Sequence, residues 1–160
     1  MNNFFFFLRP RLTTALAACL LGAPAAQAQT ISNSGALSFG AFVAGMGGRV
    51  VVDPSNGGRT SPDGVMLMPQ GIAASAAQFN VTGTASAAYG ITLPTNDKVA
   101  LSDGNGHSMA LNGFASSPAA RGTLPVGGTQ SLSVGATLSV GAAQVPGGYT
   151  GSFDVIVYYE

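Results

Sequence analysis

Charge is scarce in this chain. Its 160 residues include only six Lys and Arg and six Asp and Glu, a formal net charge of zero. No basic stripe exists, which argues against a nucleic-acid or anionic-lipid partner. Tryptophan is absent, and there is one cysteine, Cys19, and one histidine, His107. A lone cysteine forms no intrachain disulfide and cannot build a thiolate metal site. A lone histidine leaves few ways to assemble a nucleophile with a separate imidazole base. Long apolar runs are also missing: Leu12–Leu21 is the longest mostly apolar stretch past the N-terminal phenylalanines, and it is too short to span a bilayer.

What is present at the N-terminus reads as a targeting segment. Arg9 and Arg11 precede the apolar stretch, and Ala26-Gln27-Ala28 supplies the small-x-small pattern of a signal-peptidase site. A signal peptide over residues 1–28 and one exported domain over 29–160 are expected. That mature domain of 132 residues carries four cations against six anions and no cysteine, and is long enough to bury roughly two-thirds of its unfolded surface. The alternative is lipidation at Cys19, because Leu16-Ala17-Ala18-Cys19 resembles a lipoprotein box. The mass of the mature N-terminus separates the two.

The domain reads as all-β. Short alternating runs are punctuated by its abundant glycine (23 in the chain) and proline. The expected strands are Leu37–Phe42, Arg49–Asp53, Val65–Met68, Gln78–Gly83, Tyr89–Leu93, Val99–Leu101, a short run at Met109–Leu111, and a long strand over Leu132–Val140 with a bulge at Gly135-Ala136. A terminal strand follows the turn Pro146-Gly147-Gly148. About nine strands at spacings of about 8–12 residues suit a sandwich or barrel. Gly71–Ala77 is the one weak helical candidate, and without crossover helices a parallel α/β fold is excluded.

The motifs that imitate catalytic or metal sites are incomplete. Gly106-His107-Ser108-Met109-Ala110 approximates a nucleophile elbow, but no helix-forming segment follows and the only histidine lies inside it. Asp103-Gly104-Asn105-Gly106-His107 starts like a calcium loop, yet Ser108 and Phe114 stand where that pattern requires Gly and Glu. A hairpin turn with a solvated His107 is expected instead. Most of the acids sit beside turn residues and form no pair for glycoside hydrolysis. Asp154 is the exception, and it should face solvent. Asn80-Val81-Thr82 is a glycosylation sequon lying mid-strand. Tyr149, Tyr158 and Tyr159 would more simply pack their rings and wet their hydroxyls than form a sugar platform. Neither enzymatic activity nor a metal or cofactor is expected.

The last fourteen residues are the most informative. Phe153, Val155, Val157 and Tyr159 alternate with Asp154, Ile156 and Tyr158, and Gly147 stands fourteenth from the end. This ending resembles the C-terminal signature of pilin subunits of the chaperone–usher pathway. Further matches occur in order: Leu37-Ser38-Phe39-Gly40, Gly47-Gly48, Phe79-Asn80-Val81-Thr82-Gly83, Ile91-Thr92-Leu93-Pro94 and Gly148-Tyr149-Thr150-Gly151-Ser152-Phe153-Asp154-Val155. Over nearly all of Leu37–Tyr159 the chain is similar to an exported bacterial domain family of unknown function, itself similar to spore coat protein U-like subunits of archaic chaperone–usher pili.

The resemblance implies an immunoglobulin-like, pilin-like antiparallel β-sandwich, either incomplete or self-complete. It also implies a structural role at the cell surface or in a fimbrium after passage through the periplasm. The implied partners are a periplasmic chaperone, an outer-membrane usher and like subunits, joined by strand addition. The residues for that contact would be Gly147, Phe153, Val155, Val157 and Tyr159, with Ile31 as the one bulky apolar residue of a short N-terminal donor. A self-complete carbohydrate-binding or adhesin module is the alternative.

Overall fold

A computed structural model describes residues 30–160. The expected signal peptide, with Cys19 and the cleavage site at Ala28, lies outside the described residues. The described chain is all-β, with no helix and therefore none long and apolar enough to cross a membrane.

Fourteen strands follow one another: β1 (Thr30–Gly35), β2 (Ser38–Phe39), β3 (Phe42–Val43), β4 (Gly48–Val52), β5 (Arg59–Thr60), β6 (Met66–Leu67) and β7 (Ala74–Ser75) come first. The second half holds β8 (Ala77–Thr82), β9 (Ala88–Thr92), β10 (Val99–Ser102), β11 (Ser108–Ser117), β12 (Arg121–Thr123), β13 (Thr129–Val140) and β14 (Ile156–Tyr159). All pairings are antiparallel, as expected of a sandwich without crossover helices. The large sheet runs β1-β8-β13-β11-β10, with β4 also on β13 and β5 on β4; the small sheet runs β12-β9-β14.

Strand β13 organises the sandwich. Leu132, Val134, Ala136, Leu138 and Val140 recur at every second position, and all five are buried. Each large aliphatic side chain among them contributes about 1.5–3 kcal/mol by leaving water. Along one edge β13 pairs first with β8 (Thr129–Val134) and then with β4 (Thr137–Val140). Its other edge takes β11. The bulge expected at Gly135-Ala136 is not in β13. The inward alternation there is unbroken, so the extra residue falls in β11, between Asn112 and Ala115, where Gly113 has φ +57°.

Two apolar clusters fill the interior. One gathers Val50, Val52, Met109, Leu111 and Leu138; the other gathers Phe79, Val81, Tyr89, Ile91, Leu124 and Leu132 between the sheets. Leu37 and Phe114 touch both clusters.

Three expectations are corrected. Leu37–Phe42 is neither first nor one strand: β1 precedes it, and Gly40 at φ +68° breaks it into β2, which pairs with β7, and β3, which pairs with β6. The weak helical candidate Gly71–Ala77 forms no helix: it bends at Gly71-Ile72 and is extended at Ala74–Ser75, where pairing with β2 overrides local propensity. The short run at Met109–Leu111 is part of the ten-residue strand β11.

Candidate functional site

A groove opens on the side of the sandwich where the residues after β1 approach the segment before β14. Its volume is ≈ 710 Å³. Leu37, Phe79, Met109, Leu111 and Leu138, from the two core clusters, form its apolar wall. One rim is Leu37–Phe42 and the other is Gly147–Phe153. No Asp, Glu, Lys, Arg or His lines the groove. Its one phenol, Tyr149, donates to the Val145 carbonyl at 2.8 Å and accepts from Gln144 Nε2 at 2.9 Å.

The Leu37–Phe42 rim is fixed by Arg59. This guanidinium donates to the carbonyl oxygens of Phe39 (2.7 Å) and Ala41 (2.9 Å) and also to that of Met68. The planar fork reaches these carbonyls from two nitrogens, Nη1 for Phe39 and Ala41 and Nη2 for Met68, a spread that the single nitrogen of an ammonium does not match. Gly40 lies directly beneath it. A side chain there would press on the guanidinium and on the Ile72 carbonyl, besides opposing the positive φ.

The opposite rim is only partly paired. Ser102 and Thr150 exchange two main-chain hydrogen bonds, at 2.8 and 2.9 Å, which anchor the segment to β10. Pairing of the C-terminal strand with β9 resumes only at Ile156. Between them, Gly151–Val155 makes no main-chain hydrogen bond to any described residue. The alternation nevertheless runs straight through: Phe153, Val155, Val157 and Tyr159 are half-buried against the inter-sheet cluster, while Asp154, Ile156 and Tyr158 are exposed. Phe153 packs on Phe114 with ring centroids 5.1 Å apart, and Tyr159 on Tyr89 at 6.4 Å.

The terminal strand is therefore shorter than the sequence suggests. Ladder pairing covers Ile156–Tyr159 alone, with Phe153 and Val155 in the unpaired stretch. Gly147 lines the groove beside Phe153, but a Cβ there would meet only the Tyr149 ring at 3.9 Å, so packing does not demand glycine. Ile31 is elsewhere. It stands opposite Val81 in the pairing of β1 with β8, 36% exposed, so the short N-terminal segment expected as a donor is laid along its own sheet.

At the β10–β11 turn, Asp103 accepts hydrogen bonds from the main-chain N–H of Asn105 (2.8 Å) and of His107 (3.1 Å), and its second oxygen lies 2.6 Å from His107 Nδ1. The hydrogen bond from His107, then that from the Asn105 amide, holds the Asp103 carboxyl below its ordinary value. The imidazole is committed to Asp103, and no hydrogen bond joins it to Ser108. Among the described residues, no three His, Cys, Asp or Glu side chains come together as a metal site. The groove offers apolar contact and main-chain hydrogen bonding. Sequence reasoning missed Arg59 and the break in pairing after Thr150. The pair Gly151-Ser152, where alternation stops being apolar, was the available signal for the break.

The class defined by this architecture is an antiparallel β-sandwich with an open, uncharged groove. More particularly, the chain belongs to the family described as a domain of unknown function (DUF4402), whose model matches residues 30–159. That membership agrees with the resemblance to an uncharacterised domain family and carries no link to pilins or spore coat proteins. No curated protein and no solved structure matches the chain.

Proposed function

We propose that this chain is an exported structural or adhesive subunit of pilin-like type, assembled by β-strand addition to a periplasmic chaperone and then to a neighbouring subunit, with an outer-membrane usher at the point of exit. The observation that carries this reading is the unpaired main chain of Gly151–Val155 beside an uncharged apolar groove. An extended segment laid there would hydrogen-bond to those N–H and C=O groups, and its alternate side chains would enter the groove. The pilin-like ending Phe153, Val155, Val157 and Tyr159 supports the same reading, because Phe153, the first of that inward row, lines the groove and the others continue it along the inter-sheet cluster. The proposed role is structural and not enzymatic. Nucleic acid is not among the proposed partners, given the sparse charge.

Amide hydrogen exchange tests the proposal. In the protein purified alone from a periplasm, the amides of Gly151–Val155 should exchange rapidly; bound to chaperone or neighbour they should be protected. Phe153→Asp and Val155→Asp should abolish assembly and leave a degraded product. Normal assembly of both variants would remove this stretch as the docking site. Amides already protected in a free, sharply melting monomer would favour a self-complete binding module.

A further inference from the structure

Resting on the strand-addition reading, we infer that the strand accepted by this chain comes from a different polypeptide with bulky apolar residues at alternate positions, and not from the N-terminal strand of another copy. Strand β1 is laid along β8 from Thr30 to Gly35. Its inward row is Ile31 and Asn33, opposite Val81 and Phe79; its outward row is Thr30 and Ser32. Neither row can fill a groove of ≈ 710 Å³ whose lining carries no charge. One row brings a single branched aliphatic, and the other brings hydroxyls only.

The same segment has no better residues in reserve. Leu37 and Phe39, next along the chain, already pack in the core, Phe39 at 6% exposure and Leu37 against both clusters. Donating them would empty the fold that donates. A donated Asn33 would set an amide against the apolar floor of Phe79, Met109, Leu111 and Leu138, at a desolvation cost that weakens binding by about tenfold or more. Lifting β1 off would also bare the edge of β8, a long strand that then invites uncontrolled pairing. The groove thus fits a donor richer in alternating Val, Leu, Ile or Phe than Thr30–Gly35.

The experiment uses the protein secreted into a bacterial periplasm and purified whole, with two synthetic probes. One covers residues 29–43 of this chain; the other is an extended peptide in which Val or Leu alternates with Thr. The alternating peptide should bind 1:1, about tenfold or more tighter than the self peptide, and protect the amides of Gly151–Val155. Differently tagged copies should not exchange into mixed oligomers. Equal or tighter binding of the self peptide, or mixed oligomers that Ile31→Asp dissolves, would overturn the inference while leaving strand addition intact. If neither peptide protects Gly151–Val155, the strand-addition reading fails and the inference goes with it.

Discussion

Tyr158 stands directly across the ladder from Gly90, and its ring covers the space that a side chain on residue 90 would fill. The pairing of Tyr89 with Gly122 repeats the arrangement on the next strand of the small sheet. Aromatic cover of a cross-strand glycine shields a backbone that has no side chain of its own. The two pairs differ in one respect. Tyr158 is 45% exposed and free to swing outward, whereas Tyr89 is buried and donates to Gln130 Oε1 at 2.8 Å.

Gly90→Ala and Gly122→Ala should therefore separate. Gly90→Ala is expected to cost less than about 1 kcal/mol, because an exposed ring can yield. Gly122→Ala must displace a buried tyrosine and break its hydrogen bond, and about 1–3 kcal/mol is expected. Urea denaturation of the two variants checks the order; equal costs would mean that the Tyr89 ring relaxes as freely as Tyr158.

Among the described residues Arg59 has no carboxylate partner, yet its guanidinium binds three main-chain carbonyls that converge on the Leu37–Phe42 rim. Arg59→Ala should destabilise the fold by about 1.5–3 kcal/mol, in the range of hydrogen bonds to a charged group. Arg59→Lys should recover less than half of that, since an ammonium cannot reproduce the fork. Chemical denaturation gives the stabilities. Exchange of the Ala41 and Met68 amides, which bond to the Ile72 and Ala41 carbonyls at 3.3 and 3.0 Å, should rise in the same order and report the loosened rim.

Stability should be nearly flat across neutral pH and fall at both extremes. Asp53, Asp63 and Asp103 are each held below their ordinary value of 3.8, by hydrogen bonds led by those from Ser55, Arg49 and His107 respectively. A depressed carboxyl stabilises the fold above its unfolded value, and that contribution disappears as pH falls through the folded one. Tyr89 and Tyr159 are raised above their ordinary 10.0, chiefly by burial. Their contribution is complete below 10.0 and is lost as pH rises through the folded values. Melting temperature against pH should show a plateau from about pH 5 to 9. Asp63→Asn should flatten the acid limb, because it removes the ion pair with Arg49 at 2.7 Å.

The legibility of this chain follows from where its information is local. Leu132, Val134, Leu138 and Val140 make β13 and most of its buried face legible in the letters, although Gly135-Ala136 reads as a bulge that the strand does not have. The turn at Asp103–His107 is equally plain, because its Asx hydrogen bonds join near neighbours. β1 was missed because Thr30–Gly35 carries a single bulky apolar residue; its pairing with β8 supplies the order that its own pattern lacks. Short partners such as β7 and β12 gain their conformation from strands more than thirty residues away, which no window contains. In the C-terminal segment, the inward row Phe153–Tyr159 is visible in sequence, and its first member lines the groove. That the main chain beneath it goes unpaired is a fact about absent neighbours, and no residue type encodes it.

Gly135 offers the sharpest test of how β13 shares one edge between two strands. It falls between the β8 ladder, which ends at Val134, and the β4 ladder, which begins at Thr137. There the chain leaving β4 turns across β13, and a Cβ on residue 135 would collide with the Val52 carbonyl and lie 2.8 Å from Pro54 N. These are main-chain atoms held by the turn in which Gly57 N–H bonds to the Asp53 carbonyl and Asp53 N–H to that of Gly58, both at 2.9 Å. No flexible side chain is available to move aside. Gly135→Ala should cost at least about 1–3 kcal/mol, as overpacking of a closely packed interior does. Gly113→Ala, in the facing bulge of β11, meets only the Thr137 side chain at 3.3 Å, and its cost should come mostly from its positive φ. Amide exchange should distinguish them: the first should expose the β4 amides paired to Thr137–Val140, and the second should leave them protected. Protected β4 amides in Gly135→Ala would show that the crossing can shift without separating the strands.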